Sequence, residues 1–113
     1  MQIIKEACVD SFLDAVNAEK KGANRIELCG RLDLDGLTPS KKLIKKVFLN
    51  LNIPIRVMIR PKYSSFIYSN EDIRIMIEDI NYCKELGVDG VVFGCLNKDS
   101  NLNMSQINLL SDI

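Results

Sequence analysis

A chain of 113 residues, 47% of them hydrophobic, is long enough to bury the core of one ordinary domain, which excludes a disordered tail. Fifteen Lys and Arg balance fifteen Asp and Glu, so the positive surplus that a nucleic-acid binder or a polybasic membrane anchor needs is missing. No apolar run approaches the roughly 20 residues of a membrane span, and Met1-Gln2-Ile3-Ile4-Lys5-Glu6 lacks the basic-then-apolar profile of a signal peptide; the expected compartment is the cytosol. Four cysteines without paired spacing fit reduced thiols better than a disulfide framework.

In chain order, strands alternate with helices. Ile3 to Val9 reads as a strand. Ser11 followed by Asp14 opens a helix that Gly22 stops. Arg25 to Cys29 is a short strand, after which Thr38 offers a capping hydroxyl before Pro39 at the first helical position. Leu43, Ile44, Val47, Phe48 and Leu51 then form an apolar face at helical spacing. The stretch from Ile53 to Ser69 begins as a strand of period 2, with Ile55, Val57 and Ile59 on one face and Arg56, Met58 and Arg60 on the other. Ser69 and Asp72 open a third helix whose buried stripe is Ile73, Met76, Ile77, Ile80 and Cys83, and Gly87 closes it. Gly90 to Phe93 is a fourth strand, and a last helix starts near Ser105 and runs on to Ile113.

Two regularities point to an architecture. Gly22 to Leu28 resembles Gly87 to Phe93, so one helix-end, turn and strand unit is used twice. The strand-to-helix loops, Gly30 to Leu37, Lys62 to Tyr68 and Gly94 to Asn103, are long, and in parallel α/β folds these loops lie where ligands bind. Charged or sulfur-bearing residues share one face of each of three strands: Glu6 with Cys8, Arg25 with Glu27 and Cys29, Arg56 with Met58 and Arg60. A doubly wound sheet, covered by helices on both faces, has no place for them. A barrel interior holds them if they pair, and Glu6 and Glu27 against Arg56 and Arg60 is the expected pairing. Structural ion pairs and a ligand site remain alternative uses of these charges.

Six motifs carry a resemblance. Glu6-Ala7-Cys8-Val9-Asp10-Ser11, Arg25-Ile26-Glu27-Leu28-Cys29, Gly36-Leu37-Thr38-Pro39-Ser40, Val57-Met58-Ile59-Arg60-Pro61, Phe66-Ile67-Tyr68-Ser69 and Gly87-Val88-Asp89-Gly90-Val91-Val92-Phe93-Gly94 resemble, in order, successive motifs of the copper homeostasis protein CutC family. The resemblance implies a TIM (β/α)8 barrel, a cytoplasmic location and a role in copper handling. Lys62 departs from it where a second arginine is usual, Tyr63-Ser64-Ser65 replaces a glycine-rich turn, and Gly30 follows Cys29 where serine is common. A TIM barrel takes about 250 residues, so residues 1–113 are expected to be the N-terminal half of such a barrel: four βα units, a truncated product or fragment, with bare edge strands that self-associate or pair with a second half-barrel.

The candidate chemistry follows. Cys8 and Cys29 fall at the carboxyl ends of neighbouring strands and, with Met58, offer soft sulfur donors suited to Cu(I); the bland alternative is packing, since cysteine is often buried. Cys83 lies on a helical core stripe, and Cys95 has no partner spacing. An alternative reading is a barrel enzyme acting on a small anionic substrate, with Arg60 and Lys62 binding the anion and Glu6 or Glu27 as general acid or base. A third is a non-functional half-barrel fragment whose one property is assembly.

Overall fold

The computed structural model describes residues 2–113. Four strands, β1 (Glu6–Val9), β2 (Arg25–Leu28), β3 (Ile55–Met58) and β4 (Gly90–Val92), form one parallel sheet in the order β1-β2-β3-β4. Four helices alternate with them: α1 (Phe12–Lys20), α2 (Lys41–Asn50), α3 (Asn70–Leu86) and α4 (Met104–Ser111). α1 packs on β1 and β2, α2 on β3 and α3 on β4, and each helix touches the next. The helices therefore form one layer on one face of the sheet.

The core lies between that layer and the sheet. Ile26, Leu28, Ile55, Val57 and Ile59 point from the strands into Ala15, Ile44, Val47, Met76, Ile80 and Cys83 of the helices, all buried. Strand periodicity then sends the intervening residues, Arg25, Glu27, Arg56 and Met58, to the opposite, more open face. The charge pattern read from the sequence thus marks the sheet surface that helices do not cover.

Local signals set most helix ends. Ser11 Oγ accepts from the Asp14 N–H at the start of α1. At α3 the capping box is complete: Ser69 Oγ accepts from the Asp72 N–H, and Asp72 Oδ2 accepts from the Ser69 N–H. Gly87, at φ 97°, ends that helix in the left-handed conformation glycine tolerates best.

Three expectations need correction. The first strand starts at Glu6, not Ile3, because the Asn24 side chain and backbone engage Lys5 where a strand partner would stand, leaving Ile3 and Ile4 exposed. The cap of α2 is Ser40, whose hydroxyl accepts from the Leu43 N–H. Thr38 is recruited elsewhere: its hydroxyl accepts from the Arg60 N–H, and its own N–H donates to the Arg60 carbonyl. The last helix starts at Met104, capped by the Asn103 side chain, and stops at Ser111.

Candidate metal centre

The parallel register of β1 and β2 sets Glu6 opposite Arg25 and Cys8 opposite Glu27. Cys29 lies two residues beyond Glu27, so it shares that face. The Cys8 and Cys29 Sγ atoms are 3.7 Å apart, and Cys29 Sγ is 4.0 Å from Glu27 Oε1. One ligand atom from each of Cys8, Glu27 and Cys29 falls within 4.8 Å of the other two. Cys8 is exposed and Cys29 is buried, so one sulfur is reachable from solvent and the other forms the floor.

The electrostatics of that floor favour the thiol. Burial pushes the Cys29 thiol up to about 12, reinforced by its hydrogen bond with Cys8 and by the negative potential of Cys8, Glu27 and Asp10. A metal ion bound there has to displace a proton, and its positive charge supplies what the site otherwise lacks. Met58 joins by register: Leu28 pairs with Val57, so Met58 stands one strand over at the level of Cys29 and on the same face.

The loop between β2 and α2 covers Cys29. It is closed by an antiparallel bridge in which the Gly30 and Leu37 N–H groups donate to each other's carbonyls at 2.7 and 2.6 Å. Inside it, residues Leu32–Leu34 form one 3₁₀ turn whose first N–H donates to Asp10 Oδ2 at 3.1 Å. Gly36 has φ 93°, and a Cβ built on it would lie 3.4 Å from Cys29 Sγ. The backbone there favours glycine for its left-handed conformation, and the loop at that point lies in van der Waals reach of the sulfur.

The other candidate residues are placed differently. The expected pairing of Glu6 and Glu27 with Arg56 and Arg60 does not form. Glu6 instead accepts from Arg25 at 2.6 and 2.9 Å, because the register makes those two neighbours. Arg56 lies across Gly90 on β4, within 3.7 Å of where a Cβ would be. Arg60 is buried, with Nη1 donating to the Leu34 and Gly36 carbonyls at 3.3 and 3.2 Å and Nη2 to the Tyr63 carbonyl at 3.0 Å. Lys62 Nζ is 2.8 Å from Asp72 Oδ2. Arg60 and Lys62, read as anion binders, are thus both engaged with groups of the chain itself.

Cys83 sits in the core of α3, its thiol pushed up to about 11 by burial, and Cys95 is also buried. Neither belongs to the cluster of Cys8, Glu27 and Cys29. Sequence reasoning missed three contributors: Glu27 as a neighbour of both sulfurs, Asp10 as an anchor of the loop, and Gly36 as its contact with Cys29. The alternation of Glu27 and Cys29 on one strand face was a usable signal for the first. The other two depend on a loop path that no local pattern encodes.

Residues 3–113 match the sequence profile of the CutC family. The copper homeostasis protein cutC homolog of Homo sapiens is 46% identical over 100 residues, which is 88% of this chain and 37% of the human protein. A family protein CutC from Vibrio atlanticus is 44% identical over 106 residues, 94% of this chain and 43% of that protein. The crystal structure of a copper homeostasis protein CutC from Streptococcus agalactiae superposes with a TM-score of 0.91 at 35% identity, over 96% of this chain and 53% of that one. The chain therefore spans about half, or less, of the length of these relatives, and its four-stranded parallel α/β fold matches the corresponding part of the solved structure. By profile, sequence identity and fold together, the chain belongs to the CutC family.

Proposed function

We propose that this protein handles copper by binding Cu(I) through the Cys8 and Cys29 thiolates, with Met58 as a weaker third donor. The observation that carries the reading is the 3.7 Å sulfur separation on one open sheet face. A thiolate stands about 2.3 Å from a first-row ion such as zinc, so a linear sulfur–metal–sulfur pair would span about 4.6 Å. The shorter separation fits a bent pair with space for another ligand. Met58 supplies a soft thioether at that level, whereas Glu27 supplies a hard carboxylate; Cu(I) selects the former. Copper-related names among the relatives support the same reading.

The chain, on this reading, contributes the first four βα units of a (β/α)8 barrel, the N-terminal half of the relatives' fold, and works in the cytosol. The sequential strand order, the single helix layer and the 53% coverage of the solved relative support the half-barrel. Its β1 and β4 edges then pair with a second half-barrel, in the simplest case another copy of the chain.

The deciding experiment is competition of the reduced protein against a Cu(I) chelator, run on the wild type and on the Cys8→Ser, Cys29→Ser and Cys83→Ser variants. Loss of copper from the first two variants and retention by the third is the expected pattern. Equal competition by all four proteins, or loss confined to Cys83→Ser, would place any copper elsewhere.

A further inference from the structure

The strongest unused feature is the Arg60 guanidinium. It is buried, at 7% exposure, just beyond β3, and it meets no carboxylate within salt-bridge distance among the described residues. Its Nη groups reach three backbone carbonyls on two loops: Leu34 and Gly36 from the β2–α2 loop and Tyr63 from the β3–α3 loop. Phe66 lies against the plane, 4.5 Å from Cζ to the ring centroid. The Arg60 backbone also exchanges hydrogen bonds with Thr38, at the far end of the same β2–α2 loop.

A buried cation is costly unless its donors are met. Here carbonyl oxygens meet those of Nη1 and Nη2, while Nε stays without a partner. Two of these oxygens belong to the loop over Cys29, and one of them is the carbonyl of Gly36, the residue whose Cβ position lies 3.4 Å from the Cys29 sulfur. The rigid planar fork of arginine reaches several acceptors in fixed directions at once, which a lysine ammonium on a flexible stem does not reproduce.

We propose that Arg60 is a positioning residue for the sulfur pair: by pinning the Gly30–Leu37 loop onto Cys29, it closes that sulfur from above and leaves the Cys8 side as the open approach. This deepens the copper reading and rests on it for the consequence that metal enters past Cys8. The closure itself is a property of the metal-free protein.

The test is the initial rate of iodoacetamide alkylation at each cysteine of the reduced, metal-free chain, read by peptide mass spectrometry. In the wild type Cys8 reacts first and Cys29 slowly. In Arg60→Lys, which keeps the charge but loses the fork, Cys29 reacts at least tenfold faster while Cys83, buried in α3, keeps its wild-type rate. Phe66→Ala, which removes a partly exposed ring stacked on the guanidinium, shifts Cys29 in the same direction and decides the matter should Arg60→Lys not fold. An unchanged Cys29 rate in the folded variants, or a rise at Cys29 matched at Cys83, overturns the proposal. Copper competition by the wild type is scored separately, so failure of the metal reading and failure of the loop clamp are distinguishable.

Discussion

The Cβ position of Gly36 lies 3.4 Å from the Cys29 sulfur, and Gly36 holds φ at 93°. The backbone conformation is what favours glycine there, since 3.4 Å from the sulfur is ordinary van der Waals contact. Gly22 shares the backbone strain, at φ 99°, and has open space where a side chain would go. Gly22→Ala is therefore expected to report backbone strain alone, about 1–2 kcal/mol. Gly36→Ala carries the same backbone strain and meets the Cys29 sulfur at ordinary contact distance, so its expected cost is similar, about 1–2 kcal/mol. Urea unfolding of the two variants checks this, and a clearly lower midpoint for Gly36→Ala would show that the loop over Cys29 does not accommodate the methyl.

The Lys62–Asp72 contact ties the β3–α3 loop to the first turn of α3. Lys62, and then the Ser69 N–H, hold the Asp72 carboxyl below its ordinary range. A carboxylate whose folded pKa is depressed adds stability above its unfolded value, about 3.9, and loses it as pH falls through the folded value. Asp72→Asn is accordingly expected to be less stable than the wild type at neutral pH, with the gap closing below about pH 4. Denaturant midpoints across that range check it, and a gap that persists in acid would mean the charge is not its source. Ser69→Ala, which removes the cap itself, should cost about 1 kcal/mol.

The edges of the sheet lead to a prediction about assembly. β1 and β4 each have one strand neighbour, and Ile3 and Ile4, just before β1, are 74% and 57% exposed. At the other edge an apolar cavity of about 270 Å³ opens among Ile80, Cys83, Val88, Val91 and Ile113. Burial of such surfaces favours association. Sedimentation at micromolar concentration should show a dimer or larger species, weakened in Ile4→Asp. A monodisperse wild-type monomer would refute self-association.

Much of the fold was legible because its signals are local. The box formed by Ser69 and Asp72, the stop at Gly87 and the stripe through Ile73, Met76, Ile80 and Cys83 are set by residues within a few turns of one another. The alternation of Ile55, Val57 and Ile59 with Arg56 and Met58 likewise marked which strand face is buried. Thr38 shows where such reasoning fails. It has the right side chain for a helix cap and the right proline after it, yet its hydroxyl accepts from Arg60, 22 residues away, while Ser40 takes the cap. A hydroxyl goes to the donor the fold brings to it.

The site divides along the same line. Taken alone, the sequence determined that Cys8 shares a strand face with Glu6, and Cys29 with Glu27 and Arg25, because side chains alternate along a strand with period 2. Tertiary structure alone decided that Glu6 meets Arg25, that the two sulfurs stand 3.7 Å apart with Glu27 beside them, and that Gly36 and Arg60 close over the buried one. Each of those contacts joins residues brought together by strand register or loop path. Register is set by the whole sheet burying its apolar face at once, and no short stretch of chain carries that information.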